Sequence, residues 1–263
     1  MVSAWGIDLR TSLIAAIGLA VLASPAIAAP SQAPPSRAWD GLYLGANLGG
    51  AWSDNTDRVV GANDDGKFGW EFPGEINSPR LDGATVLGGV QAGYNWRVAP
   101  QWVAGVEADV QAGGQTIRGR AAGTDDTSRV MTANVTLHAF GTVRARLGFL
   151  AMPDLLLYAT GGLAWGDTNL STGLTRPRPG LTGCENHDNN CESGSVDDTR
   201  AGWTVGGGGE WKVSGPWSLK AEYLYYDLGT TSHLMSDTAY PSVFRASLPL
   251  RGNLVRFGVN YRF

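Results

Sequence analysis

The sequence predicts an all-β fold, an eight-stranded antiparallel up-and-down transmembrane β-barrel. Three observations predict it. Eight segments alternate apolar and polar residues with the period of two that is typical of strands. The connections between these segments alternate between long and short. Finally, residues 255–263 form a strand with two different faces. One face is apolar and the other carries arginines; the apolar face is made by Val255, Phe257, Val259, Tyr261 and Phe263.

Residues 1–28 are expected to be a secretory signal peptide. Arg10 precedes an apolar stretch at 13–22, and Ala26 and Ala28 form a small-residue cleavage site. This apolar stretch is shorter than the roughly 20 residues that span a membrane as a helix. Residues 29–38 are expected to be a linker rich in Pro and Ala, and residues 39–263 suit one all-β domain. The chain is therefore expected to be exported.

The first four segments cover residues 41–52, 85–98, 102–112 and 135–150. One parity of each segment is apolar and is expected to face lipid; its larger members are Leu42, Leu44, Leu48, Trp52, Val86, Val90, Tyr94, Trp96, Val98, Trp102, Val106, Val110, Val135, Leu137, Val143, Leu147 and Phe149. The opposite parity is polar and is expected to face the interior; it includes Arg97, Glu107, Asp109, His138, Thr142, Arg144 and Arg146.

The last four segments cover residues 155–165, 199–213, 217–227 and 255–263. Before residues 255–263, their apolar parity carries Leu155, Leu157, Leu163, Trp165, Trp203, Val205, Trp211, Val213, Trp217, Leu219, Tyr223 and Tyr225. The charged residues of the inward parity are Glu210, Lys212, Lys220, Glu222, Arg256 and Arg262.

The connections predict how the barrel is oriented. The short ones each contain a proline and lie at 99–101, 151–154 and 214–216. The long ones are polar and lie at 53–84, 114–134, 166–198 and 228–251. Short periplasmic turns and long extracellular loops are the layout of an outer-membrane barrel. An even number of strands would place both ends of the barrel domain on the periplasmic side.

A soluble eight-stranded barrel is the alternative fold, and the ten tryptophans argue against it. Such a barrel would have to hold its large apolar side chains in a small interior. In a membrane barrel the same side chains form two aromatic belts at the interfaces. The belt at the short turns would contain Trp96, Trp102, Phe149, Trp211, Trp217, Tyr261 and Phe263. The belt at the long loops would contain Trp52, Trp165, Trp203 and Tyr225, whereas Trp39 has the opposite parity and joins neither belt.

Several stretches resemble the OmpA-like transmembrane β-barrel superfamily, and within it the outer-membrane immunogenic, porin-like proteins of alphaproteobacteria. The matching stretches are WDGLYLG at 39–45, GGVQAGYNW at 88–96, TVRARLG at 142–148, YATGGLA at 158–164, GWTVGGG at 202–208 and KAEYLY at 220–225. A final Tyr-x-Phe, Tyr261 and Phe263, completes the set. Each stretch is weak alone, and their combination in order is specific.

The resemblance implies a structural, surface-exposed protein of the cell outer membrane, with no cofactor and no catalytic residues. It implies as partners outer-membrane lipid and lipopolysaccharide, the barrel-assembly machinery, and host or environmental ligands at the surface. Tyr261 and Phe263 would be the assembly signal. The net charge of −4 argues against non-specific nucleic-acid binding. A narrow pore for small solutes and a lipid A-modifying enzyme are the alternative functions.

A luminal charge network is the predicted interior site. It would contain Arg97, Glu107, Asp109, Arg144, Arg146, Glu210, Lys212, Lys220, Glu222, Arg256 and Arg262. An eight-stranded barrel is only wide enough for side chains to fill, and buried charges have to be paired. We expect Glu107 and Asp109 to pair with Arg144 and Arg146 rather than act as catalytic carboxylates. Across the 214–216 turn, antiparallel pairing would set Glu210 opposite or diagonal to Lys220.

Cys184 and Cys191 are the only cysteines of the chain, and both lie in the third long connection. In an exported protein two close cysteines are expected to form a disulfide. The alternative is a metal site that would also use Glu185, His187 and Asp188.

Overall fold

The computed structural model describes residues 39–56, 58–62, 68–70, 80–113, 116–122, 130–175, 192–237 and 243–263. All of these residues belong to the compact unit Arg37–Phe263. The expected signal peptide and linker, and both cysteines, lie outside the described residues.

The described residues form eleven strands, and eight of them close into a ring. In chain order the strands are β1 (Gly41–Thr56), β2 (Arg58–Ala62), β3 (Phe68–Trp70), β4 (Arg80–Ala99), β5 (Trp102–Ala112), β6 (Thr116–Ala122), β7 (Val130–Met152), β8 (Leu155–Thr175), β9 (Glu192–Ser214), β10 (Trp217–Asp237) and β11 (Val243–Arg262). The ring runs β1-β4-β5-β7-β8-β9-β10-β11 and returns to β1. No helix of the described ranges is long and apolar enough to cross a membrane.

Antiparallel pairing of β1 with β11 closes the ring, from Tyr43 opposite Arg262 to Trp52 opposite Asn253. The eight-stranded antiparallel barrel predicted from the sequence is therefore confirmed. The other three strands lie within predicted long connections. There β2 pairs with β11, β3 pairs with β2, and β6 pairs with β7.

The ring strands are longer than the alternation predicts. β7 begins at Val130 rather than 135, β8 continues to Thr175, and β10 continues to Asp237. A tilted strand needs only about 9–11 residues to cross the apolar core of a membrane. Beyond that core both faces can be polar while the backbone ladder continues, and so the period-two signal disappears before the strand does. The excess lies at the end of the barrel with the long connections.

The outer surface carries large apolar side chains that are exposed along the ring, such as Leu48, Val90, Leu147, Leu163 and Phe257. Near the short turns, aromatic rings contact one another across strands. The ring centroids of Trp102 and Phe149 are 5.5 Å apart, and those of Trp217 and Tyr261 are 5.0 Å apart. At the other side of this band, Trp203 and Tyr225 are 5.4 Å apart. This arrangement has the two aromatic belts of a membrane barrel.

The interior has three layers. Trp39, Val103, Leu150 and Leu156 form a small apolar layer at the short-turn end. A charged layer lies in the middle. A larger apolar layer follows toward the long connections, and its buried members are Ala51, Leu81, Leu87, Ala133, Phe140, Ala164, Leu170, Leu224, Leu228, Leu248, Leu250 and Leu254.

A bulge in β7 reverses one part of the predicted facing. The register between β7 and β8 shifts between Leu137 and Ala139. The alternation places Val135 and Leu137 outward, but they pack against the larger apolar layer toward the long connections, the upper layer. It places His138 inward, but His138 is exposed. An extra residue in one strand reverses the facing of the side chains on one side of it relative to those on the other side. The start of β7 therefore faces opposite to the alternation that holds from residue 139 onward.

Candidate functional site

The charged layer of the lumen is the candidate site, and five ring strands build it. β5 contributes Glu107 and Asp109, and β7 contributes Arg144 and Arg146. The remaining members are Glu210 on β9, Lys220 and Glu222 on β10, and Arg256 and Arg262 on β11. They come to one level because each strand presents alternate residues to the interior. The structure thus brings nine of the eleven residues of the expected network into one set of ion pairs.

Glu107 is the hub of this set. Its Oε1 lies 2.5 Å from Arg144 Nη2, 2.6 Å from Lys220 Nζ and 3.4 Å from Arg256 Nη2. Its Oε2 accepts a hydrogen bond of 2.7 Å from the Tyr43 hydroxyl and lies 3.5 Å from Arg146 Nη1. One carboxylate therefore connects cationic side chains from three strands, β7, β10 and β11, across the lumen.

Two arginines hold Asp109 and Glu222 together. Arg256 lies 2.9 Å from Asp109 Oδ1 through Nη1 and 2.6 Å from Glu222 Oε2 through Nη2. Arg144 lies 3.0 Å from each of the same two carboxylates. Because both arginines also reach Glu107, each guanidinium contacts three acids, which its planar fork of donors allows.

Glu210 forms the part of the network nearest the short turns. Its carboxylate lies 2.9 Å from Arg146 Nη2 and 3.1 Å from Arg262 Nη2, and it accepts a 2.7 Å hydrogen bond from the Ser218 hydroxyl. The expected position of Glu210 opposite Lys220 is confirmed, because the two residues are direct partners in the ladder, but their charged groups pair with other residues. The two arginines occupy the oxygens of Glu210, and the Lys220 ammonium reaches across to Glu107 instead.

Arg97 and Lys212 do not join the buried layer, which corrects the expected network. Arg97 lies three residues before Pro100 and donates a 2.6 Å hydrogen bond from Nη2 to the Pro100 carbonyl. Lys212 lies two residues before the end of β9, and it is half-exposed. Both residues have the inward parity, but they lie where the interior opens at the short turns, and parity alone does not distinguish this position from a buried one.

Two tyrosines that the sequence pattern did not predict belong to the site. The Tyr43 hydroxyl accepts a 2.8 Å hydrogen bond from Arg146 while it donates to Glu107. The Tyr158 hydroxyl donates to Glu222 at 3.0 Å, and the Arg146 guanidinium lies 4.0 Å from its ring centroid. Parity could have found both, because each tyrosine lies between two outward residues of its strand. A glycine leaves room for each tyrosine. A Cβ at Gly93 would lie 2.3 Å from the Tyr43 hydroxyl, and a Cβ at Gly208 would lie 2.8 Å from the Tyr158 hydroxyl.

Trp39 is buried in the apolar layer at the short-turn end of the lumen. Only 1% of its surface is exposed, and its Nε1 donates a 2.9 Å hydrogen bond to the Pro153 carbonyl. The Arg262 guanidinium lies 5.1 Å from the ring centroid. The parity that kept Trp39 out of the aromatic belts therefore places its ring inside the barrel, next to Arg262.

We expect Trp39→Ala to lower the free energy of unfolding by about 3 kcal/mol, because the change removes a buried ring and its hydrogen bond. The matched variant Trp39→Phe keeps most of the packing and should lose only about 1 kcal/mol. The measurement is urea-induced unfolding of the barrel in lipid vesicles, followed by fluorescence and by heat-modifiable migration. Equal stability of Trp39→Ala and wild type would contradict the buried position of the ring.

The charged layer is a network of mutually paired acids and bases. Each of the four carboxylates lies within 4.0 Å of at least two cations. Such mutual pairing offsets part of the cost of removing these charges from water. Within the described residues, no group of three or more His, Cys, Asp and Glu side chains could hold a metal ion.

Comparison with known proteins agrees with this architecture. The family model of the outer membrane protein beta-barrel domain matches residues 19–263. The 31 kDa outer-membrane immunogenic protein of Brucella melitensis is 34% identical over 238 residues, which cover 89% of this chain and 88% of the relative. The 22 kDa outer membrane protein of Rhizobium leguminosarum bv. viciae is 26% identical over 233 residues, covering 87% of this chain and 80% of the relative.

Solved structures show the same fold at low sequence identity. The crystal structure of the outer membrane protein OprG from Pseudomonas aeruginosa superposes with a TM-score of 0.50 at 12% identity, covering 85% of this chain and 97% of OprG. At this identity the likeness concerns the fold alone.

Proposed function

This chain belongs to the outer membrane protein β-barrel domain family, and from that premise we propose that it is a structural barrel with a closed lumen, which stabilises the envelope and presents loops at the cell surface. It is located in the cell outer membrane, as its relatives are. One observation carries the proposal: the charged layer has apolar layers above and below it, with Leu224 and Leu254 on one side and Trp39 and Leu156 on the other.

The order of the layers supports a structural role. A wide water-filled channel needs a continuous polar path, and in porins 16–18 strands leave room for one. Here eight strands enclose the interior, and buried leucines meet the charged side chains above and below. A narrow pore remains the alternative function, and conductance separates it from the structural role.

The length of the strands supports surface presentation. β7 and β9 have 23 residues each, about twice what a membrane crossing requires. In the orientation expected for such barrels, the long connections lie outside the cell and the turns in the periplasm. The long strands then place the connections beyond the membrane surface. There the connections would contact lipopolysaccharide and host or environmental ligands.

A strain without the protein tests the proposed role directly. We expect that strain to become more sensitive to detergents, and wild-type protein supplied in trans should restore the barrier. Its lipid A mass profile should stay the same with and without the protein. An unchanged barrier would refute the envelope role, and an altered lipid A profile would favour the enzyme that we consider the less supported alternative.

We further propose that Cys184 and Cys191 form a disulfide at the cell surface. The two residues enclose a short loop, and the outer membrane faces an oxidising compartment. A membrane-impermeant thiol reagent applied to intact cells should label them only after reduction. A variant with serine at both positions is the control and should remain unlabelled. Labelling without reduction would show free thiols and would favour the metal site.

A further inference from the structure

The barrel wall separates locally at the boundary between the membrane band and the long connections. Pairing of β1 with β11 stops at Trp52 opposite Asn253. Above this point Ser53 continues to pair with Gly83 of β4, and the next described partner of β11 on this side is Arg58 of β2, opposite Ser247. Pro249 lies in the intervening stretch of β11, and it has no N–H group to donate to a ladder.

A cavity of about 50 Å³ lies against this separation. Trp52 and Ser53 of β1 and Leu250 of β11 line it at the wall. On the luminal side the lining continues with apolar side chains, among them Val135, Leu137 and Leu228. The cavity is therefore an apolar space in the upper layer, next to the one stretch of the described β1–β11 boundary where the two strands are not hydrogen-bonded.

Thr85 supplies an unused polar group in the lining. Its side chain is 5% exposed, and its Oγ1 is buried without a hydrogen-bond partner among the described residues. The neighbouring Thr168 differs, because its hydroxyl donates to the Asp198 carbonyl at 3.2 Å. Burying a hydroxyl without a partner is unfavourable, and a ligand in the cavity that forms a hydrogen bond with Thr85 would remove that cost.

We propose that this cavity binds a small, mostly apolar molecule that carries one hydroxyl or carbonyl group, with the polar group on Thr85 Oγ1 and the hydrocarbon against Val135, Leu137 and Leu228. The volume corresponds to about four water positions, or a chain of about five non-hydrogen atoms. Water fits less well, because each buried water needs about two to four polar partners and most of this wall is apolar. Access lies between Ser53 and Leu250, where no ladder bond has to break.

The test is a titration of the folded full chain in detergent micelles with 1-butanol and with n-pentane, which has the same number of non-hydrogen atoms. Methyl resonances of Val135, Leu137, Leu228 and Leu250 should shift and saturate. Thr85→Val, which keeps the shape and removes the hydroxyl, should weaken 1-butanol binding about five-fold and leave n-pentane binding unchanged. Outward Val90 is the control, because only partition into the micelle should shift its methyl resonances.

Two variants fill the cavity from opposite walls, Ala51→Leu and Leu137→Phe, and heat-modifiable migration reports whether each one folds. The saturable shifts should be lost in every one of these variants that folds. Linear shifts throughout, or saturable shifts that persist in a folded filled variant, would overturn the site. Equal weakening of 1-butanol and n-pentane by Thr85→Val would overturn the assigned hydrogen bond.

Discussion

Glu107→Ala should lower the free energy of unfolding by about 3–5 kcal/mol, because removing one partner of a buried ion pair leaves the other charge buried and unpaired. The effect should reach or exceed the upper end of this range, because Glu107 lies within 4.0 Å of Arg144, Arg146, Lys220 and Arg256. The measurement is equilibrium unfolding in lipid vesicles, with tryptophan fluorescence and heat-modifiable migration as independent signals.

Two further variants show whether the loss comes from charge. Val106→Ala changes the adjacent residue, which faces outward and is 46% exposed, and it should cost far less than Glu107→Ala. The double variant Glu107→Ala with Lys220→Ala removes one stranded cation together with its partner, and it should recover part of the loss. If Glu107→Ala is no more destabilising than Val106→Ala, the charges do not hold the lumen together.

Deletion of Phe263 should leave most of the protein exported but not inserted, and this is the second large effect. The residue is 70% exposed, and its ring lies 5.1 Å from that of Tyr261 in the belt at the short turns. We propose, from the family resemblance, that the barrel-assembly machinery recognises this exposed pair. The fraction of heat-modifiable protein in isolated outer membranes measures the effect.

Phe257→Ala is the matched control for the deletion, because Phe257 lies on the same face of β11 and is 66% exposed. It removes a similar aromatic ring within the membrane band, and it should insert nearly normally. Phe263→Tyr should also insert, since an aromatic ring remains. Normal insertion of the deletion variant would contradict the proposed signal.

Alternation was enough to predict the ring and the inward facing of its charges. Glu107 and Arg144 face inward because the residues on either side of them are apolar or small, and the closed barrel brings them together. The pairing of Glu107 and Asp109 with Arg144, on the neighbouring strand, is confirmed as expected. The partners on strands that are not neighbours were beyond the sequence. Lys220 is next to Glu210 in the ladder yet pairs with Glu107, because contacts across a narrow lumen depend on the reach of side chains from strands that are not neighbours.

The apolar layers of the lumen were missed for a related reason. Leu224 and Leu254 lie on the inward parity two residues from Glu222 and Arg256, and no pattern along one strand distinguishes a luminal leucine from a lipid-facing one. The β7 bulge near His138 likewise leaves no mark in the composition of its segment. The sequence did not predict that the strands extend beyond the membrane, because their ends toward the long connections are polar and lack the alternation of a strand.

Planar-bilayer conductance tests the central claim, that side chains close the lumen, most directly. Purified wild-type protein should give no sustained channel currents at neutral pH, while a wide porin in the same membrane gives large steps and shows that the assay works. Heat-modifiable migration of protein recovered from the same preparation confirms that the barrel is folded. Stable, reproducible single-channel steps from folded wild-type protein would contradict a closed lumen and establish the narrow pore instead.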